Sequence, residues 1–177
     1  MAGSPPAGQA HGIIPTGSLP VTGSIEVPLP VEELWDVFCE VEGWRGWNAC
    51  IWRSRSGPPS MRARGTLVWA FNPIEPRFLY KLPALATIVE LWPRERVTWE
   101  VKLPGLHALH SFTFEGIDES RCRFGSWEVA EGALYRASRR FWDAHFRFVC
   151  QTSLQGAVML GQRARYTRAS VEPKNSR

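Results

Sequence analysis

The sequence contains no apolar run approaching the roughly 18 residues that a membrane-spanning helix needs, and no basic stretch followed by an apolar one at its start. The expectation is a soluble, cytoplasmic protein without an integral membrane segment. Its four cysteines, Cys39, Cys50, Cys122 and Cys150, form no CxxC pair and no metal-ligand spacing, so they read as reduced thiols packed as small hydrophobes. No GxSxG, P-loop, GxGxxG or HExxH occurs, which removes the motif-borne signs of nucleophilic, nucleotide-dependent and zinc-hydrolase chemistry. His107 and His110 stand three apart on a strand, hence on opposite faces, and cannot share a metal. Neither metal nor cofactor is expected. The net charge is only +4. Much of the basic excess lies late in the chain, from Arg136 to Arg168, where it reads as a solvated helix face. No interleaving of basic and aromatic residues resembles a nucleic-acid module, so no nucleic acid partner is expected.

What is abundant is aromatic. Nine Trp and nine Phe in 177 residues are bulky, stiff groups that either fill a large core or line a cavity accepting something apolar. The length suits one domain. Residues 1–20, rich in Gly, Pro, Ala and Ser, can bury little and read as a disordered tail, as do residues 167–177. The domain between them, 21–166, begins with an alternating strand at 21–27 stopped by Pro28 and Pro30. In "PVEELWDVFCEV", Pro30 suits a helix start, Glu32 and Glu33 complement the dipole, and Val31, Leu34, Trp35 and Phe38 fall at helical spacing. Six strand candidates follow with connections too short for crossover helices, so the sheet is expected to be antiparallel. Residues 133–166 contain no proline and read as one long helix. Its stripe runs through Leu134, Phe141, His145, Phe148, Leu154 and Val158, widened by Trp142, Phe146, Val149 and Cys150. Strands in succession with helices segregated to one side make an α+β domain.

The segments "SIEVPLPVEELWDVFCEVEGWRGWNACI", "VELWPRERVTWEV" and "HALHSFTFEGIDESRCRFGSWEVAEG" occur in an order and spacing that resembles the START-like, Bet v 1-like superfamily. The likeness is to its polyketide cyclase/dehydrase-type branch, often called SRPBCC, over about residues 20–165. That resemblance implies a helix-grip fold: a curved seven-stranded antiparallel sheet around a long C-terminal helix, with two short helices after the first strand. It also implies an apolar cavity between sheet and helix, closed at one end by the short helices. On this reading "WRGWN" is the second short helix, with Trp47 pointing into the closed end and Trp44 packed on the first helix.

Strand alternation assigns inward faces. Val97, Trp99 and Val101 face in on one strand, and His110, Phe112 and Phe114 on the next. Cys122 and Phe124 continue to Ser126 and Glu128, unless a bulge at Gly125 reverses the parity. Leu67, Trp69 and Phe71 are taken as inward on bulk. The candidate ligand-binding residues are therefore Trp47, Trp69, Trp99, His110, Phe112, Glu128, Phe141, His145 and Phe148. His110 and Glu128 are the weak catalytic candidates. A buried carboxylate is costly unless paired, and an adjacent imidazole could satisfy it while its own pKa rises.

Three functions fit. The favoured one is binding or carriage of an apolar or amphipathic small molecule of the lipid, polyketide or isoprenoid class. The second is a polyketide cyclase, aromatase or dehydratase using the same cavity, for which Tyr80, Tyr135 and His145 are the only further acid/base groups at hand. The third is a protein-interaction module with a protein partner in the groove. Fold alone does not choose among them.

Overall fold

The chain begins with strand β1 (Val21–Val27), helix α1 (Val31–Cys39) and a 3-10 helix (Val41–Gly46). Strands β2 (Ile51–Gly57), β3 (Thr66–Phe71), β4 (Leu82–Trp92), β5 (Arg96–Leu103), β6 (Leu106–Asp118) and β7 (Arg121–Glu131) follow, then helices α2 (Ala133–Ala137) and α3 (Arg139–Val171). This is a computed structural model, and it describes residues 20–57, 61–74 and 80–171. The expected tail 1–20 falls almost wholly outside the described residues. Of the expected tail 167–177, residues 167–171 continue α3.

The seven strands form one antiparallel sheet in the order β1-β7-β6-β5-β4-β3-β2. It is curled into a half-barrel with α3 in its hollow, an α+β helix-grip arrangement. Local chemistry accounts for the hairpins. The β4–β5 loop turns with Arg94 in the left-handed region (φ 64°) and the Glu95 amide donating to the Trp92 carbonyl at 3.0 Å. In the β6–β7 turn, the Asp118 carboxylate accepts from the Ser120 amide at 2.9 Å, an Asx turn.

The expected single helix over 133–166 is divided. Ser138 adopts φ −124°, ψ 33°, outside the helical region. Its hydroxyl donates to the Leu134 carbonyl at 2.7 Å, while its own carbonyl accepts from the amides of Phe141 and Trp142. Serine competes with the helix for backbone partners in this way, and here it ends one helix and starts the next.

The core has two parts. Phe38, Trp44, Trp99, Phe112 and Phe124 belong to one cluster, built between α1, the 3-10 helix and the sheet. Leu106, Ala108, Ala130, Tyr135 and Phe146 form a second, at the α2 end. Among the described residues α3 packs chiefly on β1 and β7, the strands at one side of the sheet. Close approach of α3 to β1 and to the segment after the 3-10 helix depends on two glycines. A Cβ at Gly23 would stand 2.9 Å from Leu154 Cδ1 and 3.0 Å from Cys150 Sγ, and one at Gly156 would collide with the Trp47 carbonyl.

Gly156→Ala is therefore expected to lower unfolding stability by about 3 kcal/mol, the upper end of overpacking costs. Gly46→Ala meets nothing within 4 Å and is expected to change stability by no more than about 0.5 kcal/mol. Urea unfolding of the two variants makes the comparison; equal effects would mean that the segment carrying Trp47 is not seated on α3.

Candidate functional site

Between the two core clusters lies a hollow of about 290 Å³. Alternation along the strands brings Trp69 and Phe71 of β3, Trp99 of β5, and His110 and Phe112 of β6 onto its wall, with Glu128 of β7. The β6–β7 register is unbroken from His107↔Glu131 to Gly116↔Cys122, so no bulge at Gly125 reverses the parity. Trp99 pairs with His110, and His110 with Glu128, making one row across three strands. The rim is at the β4 start and β5 end, where Pro83 and Leu103 line the hollow and are exposed.

The 3-10 segment closes the other end. Trp44 is buried, donates Nε1–H to the Phe38 carbonyl at 2.7 Å, and stacks on Trp99 at 5.7 Å between ring centroids. It packs on α1, as expected, and also reaches the hollow. Trp47 lines the hollow, and its Nε1 has no hydrogen-bond partner among the described residues. Asn48, absent from the expected set, ties this segment down. Its Oδ1 accepts from the Cys50 amide at 3.0 Å, and its Nδ2 donates to Ser153 Oγ of α3 at 2.9 Å. A buried Asn directly after a Trp pair was the available signal, but its partner is 105 positions away in the chain.

On α3 the lining residues are Trp142, His145, Phe146, Val149 and Ser153. Phe141 and Phe148 of the expected wall are not among them. Phe141–His145–Phe148 and Trp142–His145–Val149 are both sound helical stripes sharing His145. The restart at Ser138 breaks the phase that Leu134 suggested, and the second stripe turns inward. Phe141 instead stands edge-on behind Trp142, with ring centroids 5.1 Å apart.

Burial favours the neutral forms of the wall's titratable groups. Burial pushes the Glu128 carboxyl up to about 8, and burial pushes His110 down to about 3 and His145 down to about 4. The expected rise in the imidazole pKa therefore does not occur: desolvation outweighs pairing. His110 Nδ1 is 3.6 Å from Glu128 Oε2, too far for a hydrogen bond, and its Nε2 sits 3.0 Å from Ser126 Oγ. Glu128 Oε2 has no hydrogen-bond partner among the described residues. His145 donates Nδ1–H to the Pro73 carbonyl at 2.6 Å and stacks on Phe71. Burial likewise raises the Cys50 thiol, so it is a packed hydrophobe and not a nucleophile. No cluster of His, Cys, Asp and Glu able to hold a metal occurs among the described residues.

These shifts set opposing pH limbs. Glu128, raised from 4.5, favours the fold below that value, and its contribution is lost as pH climbs towards 8. His110 and His145, lowered from 6.5, favour it above that value, and their contribution is lost as pH falls. Glu128→Gln removes the alkaline limb. Its stability relative to the parent should grow from about pH 5 to 8 by on the order of 1 kcal/mol per pH unit. Urea titrations at several pH values test this, and a difference flat in pH would mean that Glu128 is ionised in the folded protein.

No protein-family model matches the chain, and no curated protein matches it. Solved structures do. The Zhui aromatase/cyclase of a Streptomyces species superposes with a TM-score of 0.67 at 12% identity, covering 86% of this chain and 98% of its own. A START superfamily protein from Mycobacterium smegmatis gives 0.59 at 10% identity, with 85% and 98% covered. The di-domain ARO/CYC BexL gives 0.56 at 13% identity, covering 82% of this chain and 48% of its own. No helix among the described residues is long and apolar enough to cross a membrane. The sheet order, the gripped helix and these superpositions together show that the chain has a helix-grip fold similar to that of these structures.

Proposed function

We propose that this protein binds or carries an apolar or amphipathic small molecule of the lipid, polyketide or isoprenoid class inside the helix-grip hollow. The observation that carries the reading is the hollow itself: an aromatic-walled space between two core clusters, with a few polar groups aimed into it. Its volume of about 290 Å³ lies just below the range of about 300 to 1,000 Å³ usual for ligand pockets, and favours a compact ligand over a two-chain lipid. A cytoplasmic location belongs to the same reading. It is supported by Cys50, Cys122 and Cys150, which are buried and unbridged, the state that a reducing compartment maintains.

Native mass spectrometry of freshly purified protein should show a co-purified hydrophobic molecule, and the emptied protein should bind Nile red. Ala84, half-buried at the rim of the hollow, belongs to neither core cluster. Ala84→Trp is expected to weaken Nile red at least tenfold; unchanged affinity would place the dye elsewhere and remove the reading.

A second reading is favoured by Glu128. A carboxylic acid with a pKa near 8, opposite a neutral His110, can give or take a proton at neutral pH. Zhui and BexL are named as aromatase/cyclases, and a poly-β-ketone folded against this pair would be a substrate for the same chemistry. Glu128→Gln is then expected to slow turnover of a poly-β-ketone mimic at least about a hundredfold. A smaller loss would leave carriage as the function.

A further inference from the structure

Strand alternation turns one face of the sheet to the hollow, so large apolar side chains on the opposite, convex face are unexpected. On β3 and β4 they gather. Val68 and Leu85 project away from the hollow, on the other face from the buried Leu67 and Ala86, and pair with each other across the two strands. Ala70 and Pro83 make the next row. Trp52, Val68, Leu85 and Leu103 are each between 45 and 57% exposed, and Tyr80 is 69% exposed. Pro83 and Leu103 also line the hollow, so this apolar surface runs up to its mouth.

Cations frame the surface. Arg53 and Arg55 of β2 extend the two rows, opposite Ala70 and Val68, and both are exposed. Arg45 Cζ stands over the Trp52 ring at 4.4 Å from its centroid, and Lys81 Nζ at 5.4 Å. Strands β2 and β3 contain no acidic residue, and Glu90, near the far end of β4, is engaged by Trp92, Thr98 and Arg96. Glu42 lies near Arg55 but accepts from the Ser56 amide at 3.0 Å. The ion pairs among the described residues include none of Arg45, Arg53 and Arg55.

We propose that this face docks on an anionic membrane surface, its exposed apolar groups entering the headgroup region and its cations meeting the acidic headgroups. An apolar surface edged by cations, with an indole and a phenol at its margin, has the chemistry of an interfacial anchor. The cations lie on the 3-10 helix, on β2 and just before β4, so an acidic protein would need carboxylates in register with all three. Mobile headgroups need no such register. The proposal rests on the binding reading in one respect: docking here sets the mouth of the hollow beside the bilayer, where an apolar ligand passes between lipid and protein without crossing water.

Co-sedimentation of the full chain with two kinds of vesicle tests this, one of phosphatidylcholine alone and one of equal parts phosphatidylcholine and phosphatidylserine. Binding to the acidic vesicles should be at least about tenfold tighter and should weaken as salt is raised. Arg53→Glu and Arg55→Glu together should reduce it at least about tenfold. Leu85→Ser, which keeps every charge, should reduce it several-fold. Arg165→Glu, exposed near the C-terminus of α3, should change it by less than about twofold. Equal binding to both vesicles, an equal loss from Arg165→Glu, or no loss from Leu85→Ser overturns docking by this face. So does the absence of vesicle binding in a chain that still takes up Nile red, a result that leaves the ligand reading standing and makes a protein the occupant to seek. Vesicle binding by a chain that takes up no Nile red keeps the docking face and overturns the ligand reading instead.

Discussion

The arrangement depends on where the long helix is allowed to touch the sheet. α3 is 33 residues long and would fill the half-barrel if it lay along its centre. It leans instead on β1 and β7, because Gly23 removes the side chain that would hold Cys150 and Leu154 away. At Gly156 the backbone of Trp47 meets α3 directly, and the Asn48–Ser153 hydrogen bond reinforces that join. The helix is thereby fixed to one side and one end of the sheet, and part of the opposite wall, including Trp69 and Phe71 of β3 and Trp99 and Val101 of β5, lines the hollow.

That geometry explains why the core is divided. Phe38 sits at the centre of one cluster, within ring-contact distance of Trp44, Trp47, Trp99, Phe112, Phe114 and Phe124. The second cluster is anchored by Tyr135, whose hydroxyl donates to Asp143 at 2.8 Å. Large rigid rings cannot relax to close the gap between these clusters as aliphatic side chains could, so packing stops short of filling it. The polar groups left inside respond to the same dryness. Low polarity neutralises Glu128, His110 and His145 and makes each unmatched hydrogen-bonding atom costly. Desolvation thus governs the protonation of the wall.

Much of this was legible in the chain. Alternation in "RVTWEVKL" and "HALHSFTFEGI" placed Trp99, His110 and Phe112 on the hollow, and carrying parity through Gly125 placed Glu128 opposite His110. Strand periodicity is two, so one anchored residue fixes the face of all the others. The helix was less legible. A period of 3.6 lets two apolar stripes overlap, and Phe141 and Phe148 were as plausible as Trp142 and Val149 until the Ser138 break set the phase. The solvated arginines of α3 were foreseen as such, and of them Arg168 meets Glu33 of α1 in an exposed ion pair, a kind of contact worth little in stability.

The sequence by itself determined the order of the elements, the antiparallel sheet, the aromatic character of its inner face and the absence of familiar catalytic motifs. These follow from local periodicity, turn chemistry and composition, which act over a few residues. Only the tertiary structure decided that His110 and Glu128 are neutral and unbonded to each other, which face of α3 turns inward, and that Asn48 meets Ser153. Each of these depends on solvent exclusion or on groups distant in the chain, and neither is encoded in the spacing of neighbouring residues.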